Sequence, residues 1–101
     1  METTINEMIF EWDDEKNRIN LRKHGVDFKD AAQVFFDDNR IEWFDEEHSD
    51  YEDRWQVIGM VNEILFVIYT ERGENIRLIS ARKAKPKERR IYYGHGDLHF
   101  A

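Results

Sequence analysis

The chain has 101 residues, a formal net charge of -7 and no cysteine. This length suits a single domain, and the lack of cysteine excludes disulfide bonds, thiolate metal sites and cysteine nucleophiles. The N-terminus lacks the basic and long apolar regions of a signal peptide, and the longest apolar run, residues 64–69, is too short to cross a bilayer. We therefore expect one soluble cytoplasmic domain over residues 1–101, with a core at 8–93 and a tail at 94–101.

Charge is distributed unevenly along the chain. Residues 37–54, the acidic segment, contain nine Asp and Glu against two Arg, whereas residues 72–90, the basic stretch, contain eight Lys and Arg against two Glu. The acidity of the whole chain argues against indiscriminate attraction of nucleic acids, but the basic stretch could still hold an anion. Alternatively, the two segments could face each other, or both could be solvated surfaces.

The N-terminal half predicts one strand and two helices. Alternating apolar and polar residues indicate a strand over residues 9–12. Asp13 or Asp14 can cap a first helix that Gly25 ends, with acidic residues in its first turn and basic residues in its last. Asp27 can cap a second helix over residues 28–36, where apolar residues recur at helical spacing.

The C-terminal half predicts strands joined by hairpins, followed by one helix. A short extended piece at 40–44 and an acidic loop at 45–53 precede strands over 54–61, 64–71 and 76–82. Pro86 can open a final helix that Gly94 closes. The order of elements predicts an α+β fold: an antiparallel sheet of about four strands, with two N-terminal helices and one C-terminal helix packed on one face.

The basic stretch is the strongest candidate for a functional site, because the planar guanidinium group of arginine can hold a phosphate through two hydrogen bonds. Arg72 falls at a hairpin turn and Arg82 at a strand end, and we expect these side chains to converge on one edge of the sheet. Strand alternation predicts that Arg82 shares a face with Leu78, while Arg77 and Lys83 point the other way. At most half of the basic stretch can then serve one site.

Candidate groups for proton transfer lie near the helix ends. His24 has an ordinary pKa near neutrality, which suits acid–base catalysis, although a cation there would also interact favourably with the helix dipole. Lys23 has the same two interpretations. Tyr92 and Tyr93 fall in the last helix, where one tyrosine could stack on a base or relay a proton. Either could instead dock that helix on the sheet.

The acidic segment also contains possible ligands for a hard metal ion, namely Glu46, Glu47, His48 and Asp50. Their spacing matches no known metal loop, and no glycine turn is present to fold the run around an ion. We expect no metal and no cofactor, and we retain a metal-dependent phosphohydrolase only as a weak alternative. Because the 2′-hydroxyl of RNA is itself a nucleophile, a site that offers arginines and proton-transfer groups suits RNA cleavage.

The sequence resembles the BrnT family of toxins over roughly residues 8–93. The resemblance rests on an ordered series of motifs: FEWD at 10–13, KHGV at 23–26, EDR at 52–54, VIYTER at 67–72, IRLISARKA at 76–84, and Glu88 and Arg89 with Tyr92. Any one of these motifs alone would be weak evidence, but their order is specific. The resemblance implies a RelE-like fold and the toxin of a type II toxin–antitoxin system, a metal-independent endoribonuclease that blocks translation.

The resemblance also implies partners and site residues. The expected partner is a BrnA-like antitoxin whose ribbon-helix-helix domain binds promoter DNA, so this chain would meet DNA only through the antitoxin. The implied catalytic residues are Arg72, Arg82, His24 and Tyr92, and the expected additional contacts to RNA phosphates are Lys23, Arg77, Lys83 and Arg89. The alternative is a non-catalytic module that docks the antitoxin or a nucleic acid through its basic stretch.

Overall fold

The computed structural model describes residues 1–97 and has six strands, three α-helices and two short 3-10 helices in that range. The strands are β1 (Glu2–Ile5), β2 (Met8–Glu11), β3 (Ile41–Phe44), β4 (Arg54–Val61), β5 (Glu63–Arg72) and β6 (Asn75–Lys83). The α-helices are α1 (Asp14–His24), α2 (Phe28–Ala31) and α3 (Pro86–Asp97), and the 3-10 helices cover Ala32–Phe36 and Glu46–His48. The predicted α+β class is confirmed. No helix in the described range is long and apolar enough to span a membrane.

The sheet is larger than predicted and is not wholly antiparallel. Its strand order is β1-β2-β6-β5-β4-β3, and β2 runs parallel to β6 while every other pair is antiparallel. The prediction of about four antiparallel strands is therefore wrong. The turn between β1 and β2 places Asn6 and Glu7 at positive φ without the glycine that usually signals a hairpin. The β2–β6 pair joins residues far apart in sequence, which local patterns do not show.

Helices cover both faces of the sheet, which corrects the prediction that they pack on one face. On the first face, α1, α2 and the first 3-10 helix enclose the main core, whose fully buried side chains include Phe10, Phe28, Val34 and Val67. The close approach depends on Gly59 of β4, where an added Cβ would lie 2.9 Å from the Cβ of Val34. On the second face, Tyr92 of α3 packs against a smaller apolar cluster, whose buried members are Ile58, Ile64, Phe66 and Ala84.

Two helices differ in extent from their predicted ranges. The predicted helix over residues 28–36 is α-helical only to Ala31 and continues as a 3-10 helix to Phe36, which brings Val34 against β4. The last helix passes Gly94 and runs to Asp97. The predicted tail at 94–101 therefore begins inside a helix, and residues 98–101 lie outside the described part of the chain.

An irregularity in the β5–β6 ladder decides which side chains reach each face. Ile68 pairs with Ser80, but the next residue, Tyr69, pairs with Leu78, so Ile79 is an extra residue in β6. As a result Leu78 faces the main core, whereas Ser80 and Arg82 lie on the second face. The predicted sharing of a face by Leu78 and Arg82 is therefore wrong.

Candidate active site

A groove of about 490 Å³ crosses the second face of the sheet, between α3 and the loop after β3. Its apolar lining comes mainly from Trp43, Phe66, Ile68 and Ile91, and its polar and charged lining comes from His24, His48, Gln56, Ser80, Arg82, Lys87 and Glu88. We call this feature the sheet groove. It brings two of the predicted catalytic residues, His24 and Arg82, to one place.

Arg82 is held in a defined orientation within the sheet groove. Its Nη1 and Nη2 atoms donate to the two carboxylate oxygens of Glu88 at 2.7 and 2.8 Å, and its guanidinium carbon lies 4.2 Å from the centre of the Phe66 ring. Glu88 also accepts a hydrogen bond of 2.8 Å from the backbone N–H of Lys85, at the start of α3. Burial alone would raise the pKa of Glu88, but the hydrogen bonds from Arg82 and Lys85 lower it below its ordinary value. Glu88 therefore stays ionised and fixes the arginine.

The Glu88 pair leaves one edge of the guanidinium group available. Nη1 donates both to Glu88 and to the Lys83 carbonyl, at 3.2 Å, and Nη2 uses one of its two hydrogens on Glu88. The Nε–H and the second Nη2–H have no hydrogen-bond acceptor within residues 1–97. These two donors point along one side of the planar group, in the geometry that accepts two oxygens of a phosphate.

His24 reaches the sheet groove because α1 is fastened to β6. Asp13 caps the start of α1 by accepting from the Lys16 N–H at 3.0 Å, and Gly25 ends it with φ 72°, as predicted. The buried Asn20 side chain donates to the Ala81 carbonyl at 2.8 Å and accepts from the Ala81 N–H at 3.1 Å. The pairing of β2 with β6 ends at Arg77, before Ala81. The Asn20 side chain therefore makes the hydrogen bonds to the Ala81 backbone that a neighbouring strand would otherwise make.

Burial lowers the pKa of His24 below its ordinary value, and the positive charges of Lys23 and Arg82 lower it further. The imidazole is therefore neutral at pH 7 and can accept a proton. Lys23 itself is exposed on the last turn of α1, beside the groove rather than in it.

A second imidazole, that of His48, lines the sheet groove from the loop that follows β3. Its Nδ1 atom lies 3.1 Å from both carboxylate oxygens of Asp45, which is only 4% exposed. From the sequence, His48 was assigned only to a possible metal cluster, and its pairing with Asp45 was missed. The available signal was the spacing of three residues, which one turn of a 3-10 helix brings together.

Arg72 lies at the opposite end of the β5–β6 hairpin from Arg82. Arg72 pairs with Asn75 across the turn, while Arg82 pairs with Phe66, so the two arginines are separated by six positions of β5, or about 20 Å. The expectation that they converge on one edge of the sheet is therefore wrong. The side chain of Arg72 is 54% exposed, and within residues 1–97 its one ion-pair contact is a long one, at 3.9 Å to Glu52.

The predicted phosphate contacts are dispersed over the surface. Arg77 shares the second face with Arg82, contrary to the prediction, but it pairs with Glu11 at 3.2 Å near the β2 edge. Lys83 points to the first face, as predicted, and lies 3.7 Å from Glu63. Arg89 donates to the Ala84 carbonyl at 3.0 Å.

The acidic segment and the basic stretch are hardly paired with each other. Within residues 1–97, the contact between Arg72 and Glu52 is the one ion pair that joins them. The structure therefore does not support the alternative in which the two segments face each other.

Tyr92 connects α3 to the rest of the fold. Its hydroxyl donates to Asp37 at 2.6 Å, and the same carboxylate oxygen accepts from the Met60 N–H at 2.7 Å. Burial, together with the hydrogen bond to the Asp37 carboxylate, raises the pKa of Tyr92 to about 12. These contacts match the helix-docking interpretation that the sequence left open.

The acidic residues considered as metal ligands do not form a cluster. In the part of the chain that the structure covers, no group of three or more His, Asp or Glu side chains is placed to hold an ion. Glu46 and Glu47 are exposed on the second 3-10 helix.

Comparisons with known proteins agree with this architecture. A family model described as the ribonuclease toxin, BrnT, of type II toxin–antitoxin systems matches residues 12–88. A solved structure, that of the Brucella abortus ribonuclease toxin BrnT, has a TM-score of 0.58 and 30% sequence identity, and the match covers 75% of this chain and 95% of the other. A comparison with curated proteins gives no match.

The family match and the shared fold therefore define the class of this chain, a ribonuclease toxin of a type II toxin–antitoxin system. The chain belongs to the BrnT family, as the motif series predicted.

Proposed function

We propose that the sheet groove is the active site of a metal-independent endoribonuclease, in which the 2′-hydroxyl of the RNA attacks the neighbouring phosphate. The observation that carries this proposal is the orientation of Arg82. Glu88 and Phe66 fix its guanidinium group, and two N–H donors on one edge remain available within the described residues. A donor fixed before the substrate binds stabilises the charge that develops on the phosphate without a cost of reorganisation.

His24 supplies the base in this proposal. Its neutral imidazole lines the same groove as Arg82, so it can take the proton of the 2′-hydroxyl as that oxygen attacks the phosphorus. The cation of Arg82 has two effects here: it favours the neutral form of His24 and it attracts the phosphate.

The apolar lining of the groove supports a nucleotide substrate. Trp43 is half-buried beside Phe66, with ring centres 6.5 Å apart, and Ile91 is exposed on the facing side of α3. Single-stranded RNA is commonly held by stacking of its bases on aromatic side chains while cations contact its backbone. Lys87 at the rim is placed for a backbone contact.

The other predicted site residues have different roles in this proposal. Arg72 is too far from Arg82 to share one phosphate, so we assign it, with Lys23, Arg77, Lys83 and Arg89, to contacts with more distant parts of the RNA. Tyr92 positions α3, and through it Glu88, rather than transferring a proton. Its raised pKa and its donation to Asp37 support this assignment.

Membership of the family supports a proposal for the partner and the cellular role. We infer that the chain acts in the cytoplasm, that it blocks translation by cutting RNA, and that a BrnA-like ribbon-helix-helix antitoxin neutralises it and binds promoter DNA. We also propose that its fold is related to that of RelE-like toxins. The competing function, a non-catalytic module that only docks RNA or the antitoxin, draws on the same basic residues.

An analysis of RNA products tests the proposed reaction. The purified chain is incubated with an RNA oligonucleotide in excess EDTA, beside the same oligonucleotide methylated at every 2′-oxygen. We expect cleavage of the unmodified RNA alone, giving 2′,3′-cyclic phosphate and 5′-hydroxyl ends. Loss of cleavage in EDTA would refute metal independence. Binding of the unmodified RNA without any cleavage products would favour the docking module.

A further inference from the structure

The reaction proposed above needs a second group that transfers a proton. When the 2′-oxygen attacks phosphorus, the bond from phosphorus to the 5′-oxygen breaks, and that oxygen leaves with a negative charge unless it receives a proton. His24 takes one proton from the 2′-hydroxyl, so another group must give one to the departing oxygen. This inference rests on the proposed function and completes it.

Several groups in the groove, and Tyr92 on the helix beside it, are poorly suited to this task. Arg82 does not release a proton at cellular pH, and Glu88 is ionised by its pair with that arginine. Tyr92 donates its proton to Asp37 and has a pKa raised to about 12. Lys87 is exposed, as the His48 side chain also is at 56%, but within residues 1–97 it has no carboxylate partner that orients it.

His48 has the geometry that the task requires. Its Nδ1 faces both oxygens of the Asp45 carboxylate at 3.1 Å, so Nδ1 carries a hydrogen and donates it. The opposite ring nitrogen, Nε2, is thereby left as the atom that exchanges a proton with a substrate. His48 is part of the lining of the sheet groove, together with His24 and Arg82.

The loop that carries His48 is held in shape by its own hydrogen bonds. The Asp45 N–H donates to the Arg54 carbonyl at 2.8 Å, and the Ser49 hydroxyl donates to the Asp45 carbonyl at 2.5 Å. The Arg54 N–H in turn donates to the Ser49 hydroxyl at 2.9 Å. These contacts close the segment from Asp45 to Arg54, and the Asp45 carboxylate orients the imidazole of His48.

Asp45 is suited to support a positively charged imidazole. Burial by itself would raise the pKa of Asp45, but hydrogen bonds from Gln56 and His48 lower it below its ordinary value, so the carboxylate stays ionised although it is 4% exposed. A buried carboxylate at Nδ1 orients the ring and balances its charge when Nε2 is protonated.

We propose that His48 is the general acid of the cleavage reaction and that Asp45 is its positioning residue. In this step the protonated Nε2 of His48 gives its proton to the 5′-oxygen as the phosphorus–oxygen bond breaks, while His24 gains the proton of the 2′-hydroxyl. The products are a 2′,3′-cyclic phosphate and a 5′-hydroxyl, and a proton passes from His24 to His48 through solvent before the next turnover.

A substrate with a sulfur leaving atom tests this assignment. In a 5′-phosphorothiolate linkage the bridging oxygen is replaced by sulfur, whose conjugate thiol is so acidic that it leaves without protonation. We expect His48→Ala to slow cleavage of ordinary RNA by about 10² to 10⁴-fold, the usual contribution of a general acid. The same variant should cleave the phosphorothiolate linkage within about tenfold of the wild-type rate. Asp45→Asn should show a smaller loss with the same pattern of rescue.

Two comparison variants make the result decisive. His24→Ala should be slow on both linkages, because a base remains necessary, and Glu46→Ala, an exposed change on the same 3-10 helix, should leave both rates unchanged. Equal slowing of His48→Ala on the two linkages, or no slowing at all, would overturn the assignment. If His48→Ala fails to fold, as judged by circular dichroism, the same criteria apply to His48→Gln. Absence of cleavage by the wild-type chain would instead refute the proposed function itself.

Discussion

The two ends of the β5–β6 hairpin each carry an arginine, but the two arginines are held very differently. Arg82 is fixed by two short hydrogen bonds that it donates to Glu88 and by the ring of Phe66, inside a groove that also holds two imidazoles. Arg72 extends from the turn, 54% exposed, with its nearest carboxylate 3.9 Å away. The two arginines cannot be distinguished from the sequence alone, since each is a basic residue near the end of a strand.

The difference shows that the number of basic residues does not locate this site. An exposed arginine must lose side-chain entropy when it binds an anion, whereas Arg82 has already lost it on folding. A carboxylate that pairs with an arginine looks at first like a competitor of phosphate. Here Glu88 occupies one edge of the guanidinium group and orients the other edge, so it prepares Arg82 for an anion.

Between the two ends of the hairpin, the largest expected effect comes from removing Arg82. Arg82→Ala should lower the rate of RNA cleavage by about 10² to 10³-fold, as loss of a fixed donor to a transition state does. Arg72→Ala should lower it by less than about tenfold, because only a distant screened contact is lost. Initial rates on one RNA oligonucleotide, with circular dichroism to check folding, give the comparison. Equal losses in the two variants would mean that the ends of the hairpin do not differ in function.

The pH dependence of cleavage sharpens the assignment of His24 to the groove end. Burial and nearby cations lower the pKa of His24, so its neutral, proton-accepting form persists below the ordinary value of 6.5. On its acid side, the plot of kcat/KM against pH should therefore have its midpoint below pH 6.5 and fall at about tenfold per unit at more acidic pH. An acid limb with its midpoint above 6.5 would contradict this environment for His24.

A matched pair of carboxylate variants tests what holds each arginine. Glu88→Gln should reduce cleavage by about tenfold and destabilise the fold by about 1.5–3 kcal/mol, since it weakens charged hydrogen bonds of a largely buried pair. Glu52→Gln, at the exposed end, should change stability by less than about 1 kcal/mol and leave cleavage unchanged. Urea unfolding and cleavage rates measure both quantities. A Glu88→Gln variant that is more active than wild type would show that Glu88 competes with phosphate instead of orienting Arg82.

Only a small effect on cleavage is expected of Tyr92→Phe. This change removes the hydroxyl that donates to Asp37 and should cost about 1 kcal/mol of stability, while cleavage stays within about threefold of wild type. The expectation differs from the catalytic role that the family resemblance implies for Tyr92. A loss of cleavage larger than about 10²-fold, with the fold intact, would restore Tyr92 as a proton-transfer group.

Much of the fold could be predicted from local sequence. The caps of α1, the strands of the β4–β5–β6 meander and the start of α3 at Pro86 follow from short patterns of capping, alternation and turn residues. Local patterns could not give the parallel β2–β6 pair, which depends on contacts between distant residues. They also could not give the extra residue Ile79, which exchanges the faces on which the side chains of β6 lie.

The candidate site was only partly accessible from the sequence. His24 and Arg82 could be selected by residue type and by their positions at the ends of elements, and the structure places both in the sheet groove. The prediction that Arg72 lies beside Arg82 was wrong, because the two residues are at opposite ends of a long hairpin. Asp45 and Glu88 gave no signal as single acidic residues, since their roles depend on burial and on the partners that folding brings to them.

The most direct test of the central claim follows the Nε–H groups of the arginines by NMR as RNA binds. The probe is an oligonucleotide methylated at every 2′-oxygen, which cannot be cleaved by 2′-hydroxyl attack, and the Arg82 and Arg72 signals are assigned with Arg82→Lys and Arg72→Lys. The Nε–H of Arg82 should shift and its exchange with water should slow, because a phosphate fills the free edge of its guanidinium group, while the Arg72 signal changes little. A shift at Arg72 with Arg82 unchanged would contradict the assignment of the site to the sheet groove.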